Sequence, residues 1–246
     1  GTNNSDVVSW DQRPTPDGGP SGGVALEHMV QLANEVGADP WFTMPHQADA
    51  EYIRNFATYV RDNLDTSLTA KVEYSNEVWN FAFEQTRWLY DKAAEDWGVE
   101  GGPGFIDYHA KKAVETALIW QDVFGEETDA RLSNVIGTQA GNPWVTQRLM
   151  NPEHWRENEP DTYVDPKGVF DEVALTTYFG GSAIGREDYR DELLAAIKDP
   201  QVDAAAYLYE KMRDPDYNSS IPDTAQHLGD QKAVADQFGL KMTLLP

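Results

Sequence analysis

Apolar residues recur along this chain with two different periods, and the switch between them marks out its elements. Residues 1–23 show neither period; they are rich in Pro, Gly, Asp and Ser and read as a long loop. From Val24 to Val36 the spacing is helical, with Leu26, Met29, Val30, Ala33 and Val36 on one face and Gly37 as a stop. Trp41 to Met44 is a short apolar run between Pro40 and Pro45, which predicts a strand. Asp49 to Leu64 is helical again, with Tyr52, Ile53, Phe56, Ala57 and Val60 facing inward, and Ala70 to Tyr74 is the next strand. Phe81–Trp97 and Phe105–Phe124 predict two amphipathic helices, broken by the glycine-rich stretch 98–104. Leu132–Thr138 predicts a strand and Trp144–Met150 a short helix, while the polar, proline-containing stretch Asn151–Lys167 reads as loop. Val169–Tyr178 contains a strand, helices follow over 187–198, 201–213 and Asp223–Phe238, and Leu240–Leu245 is a last strand.

Strand and helix alternate throughout, which predicts an α/β fold with parallel strands joined by helical crossovers. A doubly wound sheet and a (β/α)8 TIM-barrel-like fold both satisfy the pattern. No Gly-rich phosphate fingerprint follows a strand, which weakens a nucleotide-binding sheet. The predicted strands end instead in His46, Asn76-Glu77, Gln139 and Tyr178, and barrels carry their working residues at such ends. About five strands are visible where a barrel needs eight. The expectation is one barrel domain over residues 1–246, cut at both ends, with strands three to seven present and a complementary chain fragment completing it.

Composition narrows the partners. Across 246 residues, 42 acidic and 19 basic side chains give a net charge of −23. Such a surface repels nucleic acid, anionic membranes and polyanionic glycans, so a neutral substrate is expected. There is no Cys, which excludes disulfides, thiolate catalysis and Cys-based zinc sites. The five His residues show no i,i+4 pairing and no HExxH motif, and the acidic stretch Asp214–Asn218 lacks the Gly and Glu of a calcium loop, so neither a metal nor a cofactor is expected. No apolar run reaches membrane-spanning length. The abrupt opening Gly1-Thr2-Asn3-Asn4 is consistent with a removed signal peptide and a secreted or periplasmic bacterial location.

The segment Lys71-Val72-Glu73-Tyr74-Ser75-Asn76-Glu77-Val78-Trp79-Asn80 concentrates the candidate chemistry. It sets an acid, an amide and an indole together at the end of a strand, a set that suits a sugar: a proton donor, a grip on a hydroxyl and a flat face for a pyranose. Trp79 and Trp144 are candidate platforms, His46 a candidate hydrogen-bonding group, and Arg13 a loop residue within reach of a cleft. Each has a plainer reading: Glu77 as a carboxylate at a helix N-terminus, Asn76 as a turn or cap residue, His46 as a structural histidine, Tyr178 as a core aromatic. Trp41, Trp88, Trp97 and Trp120 sit at core spacing and are expected to pack. Glu73 shares a face with Glu77, but an extended strand would separate them by ~13 Å. Retaining hydrolysis needs two carboxyl groups ~5–5.5 Å apart, so the partner of Glu77 must come from elsewhere.

Asn76-Glu77 at a strand end resembles the Asn-Glu pair of clan A glycoside hydrolases, retaining enzymes on (β/α)8 barrels. More narrowly, Gly37-Ala38-Asp39-Pro40-Trp41-Phe42, Met44-Pro45-His46 and Glu73–Asn80 resemble a group of bacterial secreted, hydrolase-like proteins. The resemblance implies that Glu77 is the general acid/base and that Asn76 binds a hydroxyl beside the scissile bond. It also implies that Tyr178 hydrogen-bonds the nucleophile, a Glu that would follow the seventh strand, beyond Pro246. The expected substrate is a neutral β-linked oligo- or polysaccharide of the cellulose or hemicellulose kind. A non-catalytic carbohydrate-binding protein on a degraded barrel is the alternative, and an isomerase or lyase on the same barrel a third.

Overall fold

The computed structural model describes residues 3–18 and 23–245. Five parallel strands form one sheet in the order β1-β2-β3-β4-β5: Trp41–Met44, Ala70–Tyr74, Leu132–Gly137, Glu172–Thr176 and Lys241–Leu245. Helix α1 (Leu26–Val36) precedes β1, and α2 (Ala50–Asn63) joins β1 to β2. Between β2 and β3 lie α3 (Glu84–Trp97), α4 (Gly104–Phe124) and the single turn α5 (Thr128–Arg131). Between β3 and β4 lie α6 (Pro143–Leu149) and α7 (Glu153–Asn158). The last crossover carries α8 (Ser182–Gly185), α9 (Glu187–Lys198), α10 (Ala204–Arg213) and α11 (Ile221–Phe238). No helix among the described residues is long and apolar enough to cross a membrane.

All five predicted strands and the main helices are present. The helices form where apolar spacing is reinforced at the ends. Asp49 caps α2 by accepting from the Tyr52 amide at 2.7 Å, and Ser220 caps α11 ahead of Pro222. Gly37 ends α1 with a φ of 64°, a left-handed turn that costs glycine little. Asn151–Lys167 is not all loop: it carries α7, whose one buried residue is Trp155. Nor does α3 begin at Phe81. Its first turn is completed by Asn4, whose side chain accepts from the Glu84 amide at 2.8 Å while its own amide donates to Gln85.

Strand register divides the sheet into two unlike faces. Phe42, Met44, Ala70, Val72, Tyr74, Leu132, Ile136 and Val173 face the helices and enter two apolar clusters with them. The opposite face presents Trp41 and Thr43, Lys71 and Glu73, Ser133 and Gly137, then Glu172 and Thr243. Trp41, expected to pack in the core, lies on this second face, half-buried; Trp97 and Trp120 are buried as expected, and Trp88 is half-buried against the core. Glu172 ties the second face together. It pairs with Lys71 of β2 at 2.7 Å and accepts from Ser133 of β3 at 3.0 Å and from Thr243 of β5. Burial opposes its charge, but the Lys71, Thr243 and Ser133 hydrogen bonds outweigh that and hold its carboxyl at about 2. On the helical side, Asp107 of α4, buried completely, takes both arms of the Arg148 guanidinium at 2.6 and 2.5 Å, pinning α6 to α4.

Candidate functional site

β2 leaves the sheet through an unusual turn. Ser75 still donates to the Met44 carbonyl at 2.9 Å, but its φ is 58°, and Glu77 follows at 44°. Neither is glycine, and left-handed backbone costs an L-residue about 1 kcal/mol or more. The surroundings hold the turn from two sides. Gln85 of α3, wholly buried, donates to the Asn76 carbonyl at 2.7 Å and to Asn3 at 2.6 Å. Asn80 donates from its amide to the Glu77 carbonyl and from its side chain to Glu77 Oε2, both at 2.9 Å. Thr86 closes the loop by donating to the Asn80 carbonyl at 2.8 Å. A sharp, over-determined turn of this kind is a common carrier of function.

Glu77 is half-buried, and its Oε1 has no hydrogen-bond partner among the described residues. Asn76 is also half-buried, with its amide on Asn3 Oδ1 at 3.2 Å, so a ligand hydroxyl would have to displace that contact. Trp79 is partly buried against the main cluster. Four other exposed rings among the described residues follow the ends of successive strands: Phe81 after β2, Trp144 at the start of α6 after β3, and Tyr178 with Phe179 after β4. Because the strands are parallel, these ends share one side of the sheet. Tyr178, at 68 % exposure, is a rim residue and not the core aromatic of the plainer reading.

His46 does not face solvent. It is 1 % exposed, edge-on to Trp88, and burial lowers its pKa to about 4, so the ring is neutral. Neither ring nitrogen has a partner among the described residues, and the His46 carbonyl accepts from the Tyr74 hydroxyl of β2 at 2.7 Å. Direct contact between His46 and a sugar is therefore excluded in this arrangement. Arg13 has no hydrogen bond or ion pair with Glu77 among the described residues. It pairs with Glu27 at 3.1 Å and lines a cavity of about 250 Å³ along the outer edge of β1, with Trp41, Thr43, Tyr52 and Phe56 among the other walls. That cavity does not include Glu77.

Two residues of the polar face went unrecognised in the sequence. Glu73, 7 % exposed, accepts from the Trp41 indole at 3.0 Å, and burial raises its pKa to about 7. Parity signalled Glu73, which alternates with the core-facing positions of β2; β1 gave no such signal for Trp41, because a large apolar residue stands on each of its faces. Among the described residues no three His, Asp or Glu side chains converge as a metal site would. No protein-family model, curated protein or solved structure matches the chain.

Proposed function

We propose that the C-terminal side of the sheet is a glycan-binding rim on a (β/α)8-type barrel. Glu77 works there as general acid/base of a glycoside hydrolase that acts with retention on a neutral β-linked glycan. The observation that carries the reading is the turn after β2. It spends conformational energy at two non-glycine residues to present a carboxylate with one free oxygen, on the side where parallel α/β folds place their chemistry. The exposed rings of Phe81, Trp144 and Tyr178, which follow the ends of β2, β3 and β4, are of the kind that serve as sugar platforms. The sequential strand order supports a barrel arc, since a doubly wound sheet reverses its order partway. So does the burial of Glu73 and Glu172 on a face no helix cluster covers, as expected inside a curled sheet.

In this mechanism Glu77 gives its proton to the glycosidic oxygen as the bond to the anomeric carbon breaks and a second carboxylate attacks that carbon. It then takes a proton from the water that displaces the second carboxylate. No other carboxylate stands within three residues of the ends of β1, β3 or β4, which run on into Pro45-His46-Gln47, Thr138-Gln139-Ala140 and Thr177-Tyr178-Phe179. The nucleophile in this reading comes from another segment. The same observation favours a second reading, glycan binding without cleavage.

Glu77→Gln separates the two. It keeps the Asn80 hydrogen bond but cannot release a proton. Under the hydrolase reading it lowers release of reducing ends by at least about 100-fold, the worth of general acid–base catalysis, and leaves binding intact. Equal release by wild type and variant would remove Glu77 from the chemistry. Binding with no release by either, in a protein that carries the segment following Pro246, would establish the second reading.

A further inference from the structure

Glu73 is the buried acid that the mechanism leaves unused, and its surroundings come from three strands and the functional turn. Its Oε2 accepts from the indole of Trp41 on β1 at 3.0 Å. Its Oε1 has no hydrogen-bond partner among the described residues and fills the notch beside Gly137 of β3, 2.1 Å from where a Cβ there would stand. The Trp79 ring reaches the same notch, 3.8 Å from that point. One carboxyl thus hydrogen-bonds the indole that lines the β1 edge and shares the Gly137 notch with the indole that follows the Asn76-Glu77 turn.

We infer that Glu73 is a positioning residue of the rim, whose carboxyl, seated where Gly137 lacks a side chain, fixes the Trp41 and Trp79 indoles in one arrangement. The inference rests on the reading of Trp79 as a sugar platform only for its effect on binding. Gly137 has an ordinary negative φ, so the side chain is excluded there by space and not by backbone. The clash would fall on the far end of a flexible side chain, and a methyl group would push the carboxyl aside without breaking the fold.

The charge state fits a role in holding rings rather than pinning strands. Glu172, on the same face, is ionised and takes the Lys71 ammonium. No cation is left for Glu73. Lys71, two residues before it, is spent on Glu172 and otherwise lies 5.5 Å from the Trp41 ring. The neighbouring positions of the face are Thr43, Val135 and Gly137, none of them charged. Burial accordingly keeps a proton on Glu73 up to about pH 7, and the neutral acid still accepts from the Trp41 indole.

The test follows the indole N–H resonances of Trp41 and Trp79 by NMR across pH, with cellohexaose titrated in parallel. The wild-type Trp41 resonance should move with a midpoint near pH 7, and the movement should vanish in Glu73→Gln. Gly137→Ala and Glu73→Ala should shift both indole resonances and weaken cellohexaose binding about tenfold, the loss of one ring contact. Glu73→Gln should restore what Glu73→Ala loses. A Trp79 resonance unmoved by both Gly137→Ala and Glu73→Ala overturns the inference, as does a Trp41 titration that persists in Glu73→Gln. Resonances that behave as stated in a wild type that binds no cellohexaose uphold the positioning role and retire the glycan reading instead.

Discussion

Ser75 and Glu77 carry the cost of this site in their backbones. Ser75 is fully buried with φ at 58°, and its hydroxyl has no partner among the described residues. A residue that gains nothing from its side chain and pays for its conformation is a good place to recover stability. Ser75→Gly should raise stability by about 1 kcal/mol, seen as a rise in Tm of roughly 2–4 °C. A fall in Tm would mean that the left-handed geometry is not strained at that position. Glu77 sits at 44°, and there the side chain accepts a hydrogen bond from Asn80 through Oε2. Nothing in the local sequence signals either angle, since Ser-Asn-Glu is equally at home in an ordinary turn. The geometry is imposed by Gln85 and by Asn3, from more than 70 residues upstream.

At the scale of elements, most of the fold was legible because periodicity and punctuation agreed. Prolines bracket β1, glycines end α1, α3 and α11, and apolar spacing names the buried faces of α2 and α4. What failed had a physical cause in each case. A four-residue strand such as Trp41–Met44 is apolar on both faces, so its parity could not say that Phe42 and Met44, and not Trp41, enter the core. The turn α7 hides in a polar stretch because only Trp155 of its residues is buried. The start of α3 depends on Asn4, and the notch for Glu73 on Gly137; both are pairings between segments far apart in sequence. The sheet itself depends on Glu172. Its carboxyl is held at about 2, against an ordinary value of 4.5, so the ionised form is favoured by folding. The stabilisation is complete above the unfolded value and is lost as pH falls through about 2. Glu172→Gln, which leaves Lys71 without its partner, should cost about 3 kcal/mol near neutral pH. Denaturant titrations should show the difference from wild type shrinking between about pH 4.5 and pH 2; a difference independent of pH would show that the charge of Glu172 does not stabilise the sheet.

Across the whole molecule, helices cover one face of a five-stranded parallel sheet, and the other face is lined by paired or protonated acids. The C-terminal side of that sheet collects the strained turn, its free carboxylate oxygen and a row of exposed rings. The chain's net charge of −23 makes neutral glycans the expected ligands under the proposed function and anionic ones the expected non-ligands. The most direct measurement is a calorimetric titration of the full chain with cellohexaose and, separately, with oligogalacturonate, repeated for Trp79→Ala. The account predicts saturable binding of the neutral hexasaccharide, none of the anionic one, and a loss of about tenfold in affinity in the variant. Equal binding of both glycans, or affinity for cellohexaose untouched by Trp79→Ala, would contradict it.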